Sequence, residues 1–102
     1  MPIDYKSIVF CQSAAGFWNE SLLELMSLES VEELIEKQTS EEVKHLKKEA
    51  LLTLAALKIL MTHFKDNVKQ WKLVAAKGAS FLKNAGLSVD QLLEVVVAEL
   101  NE

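Results

Sequence analysis

Residues 46–71 read LKKEALLTLAALKILMTHFKDNVKQW. Leu46, Ala50, Leu54, Leu57, Met61, Phe64, Val68 and Trp71 recur at steps of three and four, which is the spacing of one helical face. Leu51, Leu52, Ala55, Ala56, Ile59 and Leu60 fill the other sides of the same stretch, interrupted by Lys58. A helix that is apolar almost all round is packed by neighbours on several faces. The run falls short of the ~20 apolar residues a membrane span needs. It therefore predicts a buried central helix, broken at Asp66-Asn67 and restarting before Trp71.

Trp71, Val74, Ala75, Gly78, Phe81 and Leu82 continue a helical face beyond the break. Gly78 costs about 1 kcal/mol there relative to alanine, so a close helix–helix approach is expected at that point. Asn84-Ala85-Gly86 ends the helix, and a last one is expected from Val89 to about Leu100. Val95-Val96-Val97 is β-branched, but a lone strand has no partner. On the N-terminal side, Ile3 to Phe10 predicts a helix of two turns. Gln12-Ser13-Ala14-Ala15-Gly16 ends it, with Gly16 in the left-handed region. Asn19 or Ser21 can then cap a short helix carrying Leu22, Leu23, Leu25 and Met26. Capping boxes at Ser30–Glu33, Thr39–Glu42 and Ser88–Gln91 open three more, the second of them the long helix. The expectation is one all-α domain over residues 1–102, a compact bundle of five or six helices around a long, largely buried central helix. Phe17, Trp18, Leu54, Leu57, Met61, Phe64, Trp71 and Phe81 are its expected core anchors. The indole N–H of a buried Trp71 needs a partner.

The chain has 102 residues, half of them apolar and a quarter charged, which is globular composition. Three glycines and one proline argue against a many-turned β-sandwich. The single cysteine excludes an internal disulfide and fits a reducing compartment. Met1-Pro2-Ile3-Asp4 lacks the basic-then-apolar pattern of a signal peptide. A cytoplasmic location is expected, with the nucleus also open. Residues 1–42 carry a formal charge of −7, residues 43–83 of +7 and residues 84–102 of −4. No arginine is present, which weighs against specific nucleic-acid reading. The basic middle can neutralise acidic neighbours within the fold, which is the favoured reading, or meet an acidic partner surface. For the second case the candidate contacts are Lys44, Lys47, Lys48, Lys65, Lys69 and Lys72.

Nucleophilic chemistry would need Cys11 or a serine beside His45 or His63. On one continuous helix the two histidines would share a face roughly 27 Å apart, too far for one site. Cys11 has no CxxC partner and reads as a small buried residue. Glu32, Glu33, Glu36, Glu41 and Glu42 read as a solvated face and first helical turns, where acids complement the dipole. No calcium loop, zinc spacing or glycine-rich phosphate loop is recognisable. Neither enzyme activity nor a cofactor or metal is expected.

Gln12-x3-Gly16-Phe17-Trp18, then Leu22 to Leu28, then the apolar helix, then Trp71-x-Leu73-Val74-x2-Lys77 with an aromatic at Phe81 form an ordered series. It resembles the C-terminal helical region of the vault poly(ADP-ribose) polymerase and of von Willebrand factor A domain-containing 5-like proteins. The likeness covers about residues 5–84, and Gly78 stands where those chains usually have alanine. The resemblance implies a helical module from a larger protein. Its partner would be the major vault protein, its role particle targeting, and no NAD site would be carried. The aromatics of the series read as core.

The function expected from these readings is a non-catalytic protein-interaction module. Two alternatives stand beside it: a helical domain binding a small apolar ligand or lipid through its Met-, Leu- and Ala-rich middle, and self-association through the stripe from Leu46 to Trp71.

Overall fold

A computed structural model describes residues 4–100. It is all-helical, with seven α-helices among the described residues: α1 Tyr5–Val9, α2 Ser21–Leu25, α3 Val31–Glu36, α4 Glu41–Lys44, α5 Lys48–His63, α6 Val68–Asn84 and α7 Val89–Val95. A single 3-10 turn, Lys65–Asn67, joins α5 to α6. The expected breaker at Asp66-Asn67 thus reverses the chain, and α6 folds back along α5. That reversal brings Gly78, late in α6, against Thr53, early in α5.

α5 is the centre of the bundle. Ala50 through Leu57, with Ile59 and Leu60, are all buried. Lys58, the interruption in the run, points its Nζ at the carbonyl of Leu93, 2.8 Å away. A cation there satisfies one of the last carbonyls of α7 and complements the end of its dipole.

Several helix limits differ from the sequence pattern. The Thr39–Glu42 box does not open the long helix. It opens only α4, whose N-cap is Ser40 with no side-chain capping bond, and α5 starts afresh at Lys48. Of the three boxes, Ser30 alone caps through its side chain, accepting from the Glu33 N–H at 3.4 Å. The first helix begins at Tyr5 after an Asp4 cap; Ile3 lies outside the described residues. The last helix stops at Val95, five residues before the expected end, and Val96 is already extended.

The physical reason for that early stop is Gln38. This loop side chain is 2% exposed. Its Nε2 donates to the carbonyls of Leu34 (2.9 Å) and Val97 (2.8 Å), and its Oε1 accepts from the Val97 N–H (2.8 Å). The amide therefore pairs with Val97 as a neighbouring strand would, so the extended backbone has its hydrogen bonds met without a sheet. Replacing Gln38 with alanine is expected to expose the Val97 N–H to hydrogen exchange while α5 amides stay protected. An unchanged exchange rate at Val97 would remove this account.

The N-terminal loop closes the other side. Gly16 and Gly86 both have positive φ, at 107° and 82°, as their positions before and after helical segments lead one to expect. Gln12 Nε2 donates to the carbonyls of Gly16 (2.9 Å) and Val74 (3.0 Å), tying the loop to α6. Trp18, fully buried, then enters the core beneath it. A Cβ at Gly78 would stand 2.8 Å from the Trp18 ring and 3.3 Å from the Thr53 methyl. The expected close approach at Gly78 is therefore real, but most of it is to the indole of the N-terminal loop.

Candidate interaction surfaces

The eight expected core anchors fall into three groups. Trp18, Leu54, Leu57 and Trp71 are buried. Phe17, Phe64 and Phe81 are partly buried, and Phe17 meets Phe81 with ring centroids 5.3 Å apart. Met61 corrects the expectation, since it is 49% exposed. The reason is its place at the end of the helix. α5 ends two residues after Met61, and Met61, Thr62 and His63 are all exposed, so this last turn lies beyond the packing that buries Leu54 and Leu57. Trp71 is buried because α6 returns along α5, not because the stripe continues.

Both indoles find backbone partners. Trp18 Nε1 donates to the Ile8 carbonyl at 2.6 Å, and Trp71 Nε1 to the Phe64 carbonyl at 2.7 Å. The Trp18 backbone N–H donates to Thr53 Oγ1 at 3.1 Å, while that hydroxyl donates to the Glu49 carbonyl at 2.7 Å. Thr53 is the one polar residue buried within α5. Its position inside an apolar run was the available signal for this bond. Gln38, in a loop between polar neighbours, gave none.

The six candidate lysines do not form one face. Lys44 ends α4 and Lys47 and Lys48 start α5, whereas Lys65 and Lys69 lie past the far end of α5, with Lys72 one turn into α6. Sixteen residues of helix put about 24 Å between those ends. The two groups also differ electrostatically. Lys48 Nζ lies 3.0 Å from Glu20 and Lys44 Nζ lies 3.9 Å from Glu41. The hydrogen bond and charge of Glu20 raise the Lys48 ammonium above its ordinary pKa, with Glu49 and Glu32 adding to the effect. These two lysines neutralise acidic neighbours. Lys47, Lys65, Lys69 and Lys72 are exposed and make no ion pair among the described residues.

The residues weighed for chemistry stay apart. His45 follows α4 and is not on the helix that carries His63, so the shared-face geometry does not arise. Its Nδ1 lies 2.9 Å from the Glu41 carbonyl. Cys11 is buried, its Sγ donates to the Ser7 carbonyl at 3.4 Å, and burial pushes its thiol pKa up. That is the setting of an unreactive thiol. Among the described residues no three His, Cys, Asp or Glu side chains are grouped to hold a metal ion. No described helix is long and apolar enough to cross a membrane.

A half-open groove of about 600 Å³ lies where the start of α5 meets the end of α6. Phe17, Leu46, Ala50, Phe81 and Leu87 line it, and His45, Lys47 and Glu49 stand among them. Comparison with known protein families, curated proteins and solved structures finds no match.

Proposed function

We propose that the chain is a non-catalytic protein-interaction module that docks a larger parent protein onto the vault particle through the major vault protein, in the cytoplasm. The observation that supports this reading is the joint role of the residues carrying the family resemblance. Gln12 ties Gly16 to Val74 of α6, and Trp18 hangs between Ile8 and Thr53. Gly78 gives the Trp18 ring its room, and Trp71 closes on Phe64. Residues that a family shares for its scaffold have such mutual contacts, and they leave the exposed lysines to meet a partner. Rigid presentation of a fixed surface needs no substrate pocket and no titrating group.

Co-sedimentation with intact vault particles tests the proposal. Binding is expected at low salt and a substantial loss of it at high salt. Glu substitution of Lys65, Lys69 and Lys72 together is expected to weaken binding at least tenfold. The same change at Lys44, Lys47 and Lys48 is expected to act less, since two of those lysines are already engaged by glutamates. Absence of sedimentation at both salt concentrations would sink the vault assignment.

The groove beside Phe17 and Phe81 supports a second reading, a site for a small apolar ligand. Its volume lies within the usual range for such sites. It differs from the expectation in place: residues 51–57 are closed off in the core, and only Leu46 and Ala50 of the long stripe reach the groove. Saturable binding of a medium-chain fatty acid, lost in Ala50→Trp, would favour this reading over docking.

A further inference from the structure

α6 carries Lys69, Lys72, Lys77 and Lys83 and no acidic residue. At 100° per residue, Lys69, Lys72, Leu73, Ala76, Ser80 and Lys83 fall on one side of it. All six are exposed. None of the four lysines is in an ion pair among the described residues. Leu73, in the middle of this face, is 84% exposed, more than any other large apolar residue described. A lone exposed leucine is ordinary. One surrounded by unengaged cations is an apolar knob with a definite charge around it.

A depression of opposite character lies on another part of the surface. Glu20, Glu29 and Glu32 rim a cavity of about 380 Å³ whose lining includes Val31 and Ile35, both packed on the core but only partly covered. The sole cation in that lining, Lys48, is held by Glu20 at 3.0 Å. The rim therefore keeps an acidic excess. Both halves of a contact are thus present on one chain, as the opposite charges of residues 1–42 and 43–83 also indicate.

We propose that a second copy of this chain fills the depression. Leu73 of one copy seats against Val31 and Ile35 of the next, with Lys69 and Lys72 facing Glu29 and Glu32. Knob and depression are different surfaces, so the contact is head-to-tail. Each pair leaves one knob and one depression open, and growth continues past the dimer. The contact uses neither the buried stripe of α5 nor any part of the groove, but it draws on Lys69 and Lys72, which the vault-docking reading also uses, so its test rests on Leu73, Glu29 and Glu32 instead.

Sedimentation velocity of the full chain tests it. At low salt the weight-average mass is expected to rise with concentration beyond that of a dimer, and to return to the monomer at high salt. Leu73→Glu and the pair Glu29→Lys with Glu32→Lys alter exposed side chains, and each protein is expected to be monomeric with an unchanged helical circular dichroism spectrum. An equimolar mixture of the two is expected to give a dimer and nothing larger, because one intact knob meets one intact depression. A monomer at low salt up to about 1 mM overturns the proposal, since that bounds the interaction at roughly 4 kcal/mol. Assembly that survives Leu73→Glu also overturns it, as does a mixture that stays monomeric. Either result would leave the α6 face to an acidic segment of another protein.

Discussion

Replacing Trp18 with alanine is expected to lower the unfolding free energy by about 3–5 kcal/mol. The side chain is fully buried, its indole N–H is bonded to the Ile8 carbonyl, and its ring fills the room left by Gly78. Truncation opens a cavity between the N-terminal loop, α5 and α6, and it removes one hydrogen bond from the Ile8 carbonyl, which keeps the Cys11 N–H at 3.1 Å. A domain of this size has roughly 5–15 kcal/mol in total, so the variant would sit near its folding limit. Urea unfolding followed through the remaining Trp71 measures the loss. Trp18→Phe serves as the companion variant, since it keeps most of the volume and removes the N–H. Its expected cost is about 0.5–1.5 kcal/mol, the net worth of one hydrogen bond to a carbonyl that keeps a second donor in the Cys11 N–H. A loss below about 1 kcal/mol for the alanine variant would mean that the indole is not the anchor of the N-terminal loop.

The second large effect is expected at Gly16→Ala, at about 2–5 kcal/mol from two separate causes. The backbone there has φ of 107°, which a side chain tolerates poorly. The added Cβ would also stand 2.9 Å from the Lys77 carbonyl oxygen, a backbone atom that cannot rotate away. Gly86 separates the two causes. Its φ is 82° and an added Cβ meets nothing within 4 Å, so Gly86→Ala carries the backbone cost alone. Chemical denaturation of both variants gives the clash as their difference. Equal losses at the two positions would show that the loop, not α6, yields at Gly16.

The helical class and the central helix were legible because burial leaves a periodic mark. Ala50–Leu60 is apolar on almost every side, and every residue of it but Lys58 is buried. The break at Asp66-Asn67 was legible from local chemistry. What could not be read was direction after a turn. Met61 and Trp71 lie on the same stripe, yet Met61 stands in the exposed last turn of α5, and Trp71 is buried because α6 folds back along α5. The extended end at Val96 was illegible for a related reason. A β-branched triplet needs a partner, and the partner is a side chain, Gln38, that no strand pattern reveals. The six lysines could not be sorted from the sequence because spacing along the chain does not say which of them already have an acid beside them. Lys48 does, and Lys69 does not. Leu73 belongs to the same ordered series as the buried Trp71, and only the orientation of α6 shows that it faces water.

The two glutamine clips have one consequence for how this chain tolerates change. Gln12 and Gln38 each hold a segment some sixty residues away, and each does so mainly by offering N–H groups to carbonyl oxygens. Glutamate differs from glutamine by hardly more than the exchange of NH₂ for oxygen, and by size alone it would fit both places. In either place it would set lone pair against lone pair, where the amide donates to two carbonyl oxygens. A substitution scored as mild by shape is therefore severe by polarity. Slow hydrolysis of either amide would produce the same defect in an ageing molecule. Both closures of this bundle depend on a nitrogen remaining a nitrogen.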